Sequence, residues 1–258
     1  MDLQIKNHLF LVGGATSGFG KAVAEALLKE EATIIAVARN EEKLHELQQR
    51  FPYQVQIVAG DITKPETLKV LRECIGHRRI EGALINAGGP PAMKVMETTI
   101  NDWDVAYQTV LRWKVELTQM LVPLMQEHNY GRIVYIESAS VKQPMENLVL
   151  SNSMRLAVVG FVKTLSQEIA NSGVTLNVLA PGFHATAAMD RLFKKKADQT
   201  GVSMEEAMLQ YINQTGVGFL GAAEDFASLV VWLLSPHSRY LTGQTISVDG
   251  GVIKGLMG

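Results

Sequence analysis

The sequence predicts an α/β fold, one domain over residues 1–258 built as a doubly wound parallel sheet of about seven strands with helices on both faces. Three observations predict it. Short apolar runs rich in β-branched residues recur along the chain, as strands buried on both faces require. Longer segments of helical periodicity separate them, and this alternation makes βαβ units. The composition, 47% hydrophobic and 19% charged, suits a chain with a sizeable core.

Taken in order, the run Leu9–Val12 enters a glycine-rich turn and a helix over Gly18–Lys29. Thr33–Ala38 is the next strand, followed by a helix over Glu41–Arg50. Val55–Ala59 precedes a helix over Pro65–Ile75, and Gly82–Asn86 precedes one long helix over Ile100–Gln126. Arg132–Glu137 leads to a helix over Ser151–Ser172, and Thr175–Ala180 to a polar, lysine-rich stretch that includes Lys194, Lys195 and Lys196. A helix over Ala222–Leu234 and the strand Thr245–Val248 complete the pattern. The stretch at about 186–218 breaks the rhythm, with helical character and no strand; it is either a substrate lid inserted over a pocket or a solvated surface segment.

Composition excludes several classes. Lys and Arg number 24 against 26 Asp and Glu, a net charge of −2, which argues against a nucleic-acid partner. Cys74 is the only cysteine, so no internal disulfide and no cysteine-based metal site is expected, and no metal is assigned. The longest apolar stretch, near Phe226 to Leu234, is about half of what a membrane span needs. The first apolar run is too short for a signal peptide, so the expectation is a cytoplasmic protein without membrane attachment.

The turn Gly13-Gly14-Ala15-Thr16-Ser17-Gly18-Phe19-Gly20 lies between the first strand and its helix. Absent side chains let a backbone approach a pyrophosphate, and a helix N-terminus supplies amide donors with a partial positive charge. A tight turn alone would use the same glycines; the strand-turn-helix setting favours a dinucleotide, in a Rossmann-like arrangement. About twenty residues on, an NAD site places a carboxylate for the ribose 2′-hydroxyl. Here the strand ends Val37-Ala38-Arg39-Asn40. A guanidinium there suits a 2′-phosphate, so NADP, as NADPH, is favoured over NAD.

These residues belong to a longer series. Gly14/Gly18/Gly20, Gly60-Asp61-Ile62, Asn86-Ala87-Gly88, Trp103, Pro123, Gly131-Arg132-Ile133-Val134 leading to Ser138, Pro181-Gly182 with Thr186, and Asp249-Gly250-Gly251 stand in order. In this the sequence resembles the short-chain dehydrogenase/reductase family over nearly its whole length. The resemblance implies cofactor contacts from Gly14, Thr16, Ser17, Gly18, Phe19, Gly20 and Arg39. It adds Asp61 and Ile62 near the adenine, Asn86, Ala87 and Gly88 as the counterpart of the family's Asn-Asn-Ala-Gly motif, Arg155 at the nicotinamide ribose, and Pro181, Gly182 and Thr186 at the carboxamide.

The family's catalytic set is an asparagine, a serine, a tyrosine and a lysine, and only the serine, Ser138, is present. Ser151 stands where the resemblance places the tyrosine, Arg155 where it places the lysine, and Val110 where it places the asparagine. A phenol titrates near 10 and responds to a cationic neighbour, whereas a serine hydroxyl is far too weak an acid and an arginine does not give up its proton. Ser138, Ser151 and Arg155 are therefore the candidate catalytic residues, with the double change Ser151→Tyr and Arg155→Lys expected to raise carbonyl reduction. Lys142 and His184 are alternative proton carriers, or simply a surface lysine and a pocket-lining or surface histidine, and Ser138, Ser140 and Ser151 would form a hydroxyl cluster.

Two functions fit. One is an atypical NADP-dependent oxidoreductase for a small carbonyl or alcohol substrate. The other is a pseudo-enzyme that senses NADP(H) or a metabolite. The resemblance also implies a homo-oligomer, a tetramer or dimer, through the helices at 100–126 and 151–172; surplus apolar residues such as Val110, Leu111, Val159 and Phe161 agree with it.

Overall fold

The structure is a computed structural model, and it describes residues 1–256. Seven strands form one parallel sheet: β1 (Leu9–Gly13), β2 (Thr33–Ala38), β3 (Val55–Ala59), β4 (Gly82–Ile85), β5 (Gly131–Ile136), β6 (Val174–Pro181) and β7 (Thr245–Val248). Their spatial order is β3-β2-β1-β4-β5-β6-β7. The chain leaves one edge after β3 and returns to the middle to place β4 beside β1, with Phe10 opposite Gly82 and Val12 opposite Leu84. That reversal opens a crevice beyond the carboxyl ends of the central strands, where open α/β sheets bind ligands.

Alternate strand residues face opposite layers. Phe10, Val12, Ile34 and Ala36 pack under α1 (Gly18–Lys29), α2 (Glu41–Arg50) and, later in the chain, the helix that carries Phe226 and Val230. Leu11, Ile35 and Val37 face the other layer, with Leu71 of α3 (Pro65–Ile75) and Trp113, Leu117 and Leu121. Both faces are covered, which explains the near-continuous apolar strands. Asn40 caps α2 by accepting from the Lys43 amide at 2.8 Å, a bond of the kind that is worth about 1 kcal/mol.

The long helix expected over Ile100–Gln126 is not regular. It divides into α4 (Ile100–Ala106), a wider π-type turn over Tyr107–Arg112, and α5 (Trp113–Gln126). Thr109 explains part of this: its hydroxyl donates to the Val105 carbonyl at 2.7 Å, and the Trp113 indole donates to the Thr109 carbonyl at 2.9 Å. Side chains thus serve backbone groups that a regular helix would pair within itself.

The next helix, α6, spans Val149–Glu168 rather than Ser151–Ser172. It starts early because Leu148 bridges to Met93 and Asn152 donates to the Met145 carbonyl at 2.9 Å. It ends early because Ile169 leaves helical geometry and Gly173 turns the chain at φ +73°. Strands β1, β4, β5 and β6 differ from expectation only at their termini; Asn86 leaves the sheet to bond elsewhere. The 186–218 segment contains α7 (Ala187–Thr200) and α8 (Met204–Ile212), which share a small apolar cluster of Met189, Phe193, Ala197 and Ala207. The last helix is α9 (Ala223–Leu234). Among the described residues no helix is long and apolar enough to cross a membrane.

A half-buried and a buried histidine give the fold a defined acid response. His8, before β1, stacks edge-on with Tyr130 at 5.9 Å, and its Nδ1 is buried without a partner among the described residues. Burial lowers its pKa, with Glu81 opposing and Arg79 assisting. His184 is lowered mainly by burial too. The unfolded chain takes up these protons below about pH 6.5, where the folded protein resists them, so stability holds above that pH and falls as pH drops toward 5. His8→Phe is expected to flatten this decline in melting temperature between pH 7.5 and 5; a decline equal to wild type would remove His8 as its source.

Candidate active site

The glycine turn is built for close backbone approach. Gly14 and Gly18 take φ of +69° and +51°. A Cβ on Gly20 would overlap the Gly14 carbonyl, and one on Gly13 would sit 2.6 Å from the Asn86 carbonyl oxygen. The Asn86 side chain donates to the Gly13 carbonyl at 3.1 Å and so fastens the β4 loop to the turn. Thr16 and Ser17 form the approach to α1, with Ser17 in extended geometry at its N-cap and making no side-chain cap bond. The Phe19 ring packs on Phe226 at 4.2 Å and on His184 at 5.0 Å, which leaves its backbone as the part facing the turn.

Around this turn the carboxyl ends of the strands bring further candidates. Arg39 is exposed at the end of β2 and has no hydrogen-bond or ion-pair partner among the described residues. Asp61 follows β3 and accepts from the Thr63 amide at 3.0 Å and the Thr63 hydroxyl at 2.9 Å; Ile62 is buried in the core. Ala87 and Gly88 continue the loop after Asn86, and an added Cβ at Gly88 would meet nothing within 4 Å. Pro181 ends β6, and Gly182 donates to the Val248 carbonyl at 3.0 Å. Thr186 begins α7, and its side chain lies about 4 Å from where a Gly18 Cβ would be. The start of the 186–218 segment therefore sits over the glycine turn. The cradle, the unpaired guanidinium and the open loop fit a dinucleotide phosphate backbone.

The three catalytic candidates also lie at this end of the sheet. Ser138 follows β5, and its Oγ accepts from the Ser140 amide at 3.2 Å. Ser151 and Arg155 stand one turn apart on α6, both buried, and Arg155 Nε donates to Ser151 Oγ at 3.1 Å. Arg155 Nη1 donates to the Glu137 carbonyl at 3.0 Å and to Glu137 Oε2 at 3.1 Å. The expected hydroxyl cluster is not formed: among the described residues Ser140 Oγ is buried without a partner, and no hydrogen bond links the Ser138, Ser140 and Ser151 side chains.

His184 is a packed residue. It lies between the Phe19 and Phe226 rings, with Nδ1 at 3.3 Å from the Gly182 carbonyl. Lys142 sits half-buried in the turn after Ala139–Val141.

The structure adds a residue that sequence reasoning missed. Lys114, only 3% exposed, forms an ion pair with Glu137 Oε1, so Glu137 is held between Lys114 and Arg155. Burial pushes the Lys114 ammonium below the ordinary lysine range, with Arg155 adding to the effect and Glu137 opposing it. The signal was present in the sequence: a lysine on the apolar stripe Val110-Lys114-Leu117-Leu121, and a glutamate directly after the apolar run at 133–136.

Tyr135 does not supply the missing phenol. It is fully buried, its hydroxyl pairs with Thr118 Oγ1 at 2.7 Å, and desolvation raises its pKa far above the ordinary range.

Residues 14–253 match a family described as enoyl-(acyl carrier protein) reductase. The chain belongs to the short-chain dehydrogenase/reductase family. Among curated members, 3-oxoacyl-[acyl-carrier-protein] reductase FabG of Thermotoga maritima is 28% identical over 259 residues, covering 97% of this chain and 100% of that one. The FabG of Haemophilus influenzae is 29% identical over 250 residues, covering 96% and 99%. Among solved members, L-sorbose reductase from Gluconobacter frateurii, complexed with NADPH and L-sorbose, superposes with a TM-score of 0.92 at 27% identity, over 99% of this chain and 100% of that one. YwfH, an NADPH-dependent reductase involved in bacilysin biosynthesis, gives 0.91 at 25% identity over 97% and 100%.

Proposed function

We propose that the protein is an NADPH-dependent oxidoreductase that acts on a small carbonyl or alcohol substrate through an altered catalytic set. The observation that carries this reading is the side-chain-free cradle at Gly13, Gly14, Gly18 and Gly20, braced by Asn86, with the unpaired Arg39 beside it. The NADPH complexes among related structures support the choice of cofactor.

When bound, the cofactor would supply or take a hydride. The chain's residues do the rest. Backbone amides from Gly14 to Gly20 and the α1 N-terminus hold the pyrophosphate. Arg39 binds the 2′-phosphate, and Asp61 and Ile62 border the adenine. Asn86, Ala87, Gly88 and Arg155 border the nicotinamide ribose; Pro181, Gly182 and Thr186 hold the carboxamide; α7 and α8 cover the site as a lid. Ser138, Ser151 and Arg155 orient the substrate, and water or the substrate itself provides the proton.

Titration with NADPH and NADH, followed by a panel of ketones and aldehydes, tests this reading. NADPH binding with no turnover on any substrate class would favour the sensor; failure to bind NADPH would reject the reductase and the NADP(H) sensor alike.

We also propose that it works in the cytoplasm as a homo-oligomer, a tetramer or dimer, through α5 and α6. A groove of about 530 Å³ runs between them, lined by Val122, Pro123, Gly160, Phe161 and Leu165 among others. Gly160 is exposed, with nothing within 4 Å of an added Cβ, so a partner helix could approach closely there. Gly160→Arg is expected to convert the oligomer to smaller species in light scattering without loss of fold; a wild-type protein that is monomeric at micromolar concentration would reject the interface.

A further inference from the structure

Lys114, Glu137 and Arg155 form a buried chain of three charges, positive, negative and positive. With all three ionised the chain carries one net positive charge, and no second carboxylate pairs with it among the described residues. A surplus charge in a low-dielectric interior is costly unless a ligand completes it.

The guanidinium also has a vacant donor. Nε is taken by Ser151 and Nη1 by Glu137, while Nη2 makes no hydrogen bond among the described residues. Nη2 lies against Gly89, where an added Cβ would stand 2.8 Å from it. Gly89 is in the loop after β4, and Glu137 follows β5, so this donor is placed at the carboxyl ends of adjacent central strands.

We infer that Arg155 Nη2 is an anion-binding donor, held and charged by Glu137 and Lys114 as positioning residues, and that the substrate is a carbonyl compound bearing a carboxylate. This rests on the reductase reading above and narrows its substrate class. Ribose hydroxyls could bond the same donor but would leave the surplus charge uncompensated. A carboxylate answers both the vacant donor and the charge, with a charge-assisted bond to a guanidinium whose orientation is already fixed. Lys114 touches no ligand in this scheme. It supplies the charge that Glu137 would otherwise cancel.

The test uses the purified full chain saturated with NADPH and two near-isosteric probes, oxamate, which is an anion, and oxamide, which is neutral. Binding is read by NADPH fluorescence and calorimetry. Wild type is expected to bind oxamate at least tenfold more tightly than oxamide. Lys114→Met is expected to erase that preference by weakening oxamate about tenfold, with oxamide and NADPH affinities changed by less than twofold; Lys114→Arg is expected to restore it. A merely structural lysine would move both probes together.

Equal binding of the two probes by wild type, no oxamate binding, or an unchanged preference in Lys114→Met each overturns the inference. The wild-type comparison decides the matter even if Lys114→Met does not fold. A wild type that fails to bind NADPH removes the reductase reading itself; one that binds NADPH but shows no oxamate preference removes only this inference.

Discussion

Arg39→Asp is expected to invert the cofactor preference, from NADPH tighter than NADH to the reverse. The side chain is exposed at the end of β2 and holds no other partner among the described residues, so its loss removes no packing and no internal bond. Its neighbour Asn40 keeps the structural task of capping α2. A hydrogen bond to a charged group is worth about 1.5–3 kcal/mol, or roughly 10- to 150-fold in affinity. An introduced carboxylate adds repulsion toward the 2′-phosphate and an acceptor for the 2′-hydroxyl of NADH. Fluorescence titration of both cofactors against wild type and variant measures the ratio directly. A ratio unchanged by the substitution would mean that Arg39 does not read the 2′ position.

The second large effect concerns the missing phenol. Wild type is expected to reduce ordinary ketones poorly, because a positioned general acid contributes about 10²–10⁴ in rate. Ser151→Tyr with Arg155→Lys supplies a phenol and a cation one helical turn apart. The structure adds a condition. Glu137 is buried beside position 155, and a lysine there would be drawn to its carboxylate instead of the phenol. The double variant is therefore expected to gain about tenfold in NADPH oxidation with a ketone panel, and adding Glu137→Ser to raise the gain toward 10²-fold. Lys114 would then lose the ion-pair partner it has among the described residues, so the melting temperature of the triple variant should be followed alongside. Vigorous wild-type turnover with a bell-shaped pH profile would show that another group already serves as the acid.

Much of the fold could be read in advance because its strands are buried on both faces. Residues 34–38 and Gly82–Ile85 are apolar and buried from end to end, and polar residues bound them. The glycine turn was legible for a related reason: Gly14, Gly18 and Gly20 are positions where side chains do not fit, and that constraint is written in residue type. What escaped depended on contacts distant in sequence. Lys114 and Glu137 lie 23 residues apart, and neither alone announces an ion pair. Their meeting needs both the β5 register and the phase of α5. The wide turn at Tyr107–Arg112 was hidden because apolar residues continue through it without a glycine or proline to mark the change.

That wide turn has a consequence for how such a site diverges. A one-residue insertion in a helix normally rotates everything after it by about 100°, since a full turn takes 3.6 residues. Here six residues, Tyr107 to Arg112, absorb the excess locally, and α4 and α5 keep independent phases. Removing one residue there would close the turn to regular helix and leave Lys114 still facing Glu137. The stretch ahead of the buried charges can therefore change in length without re-aiming them, a tolerance that a regular helix at the same place would lack.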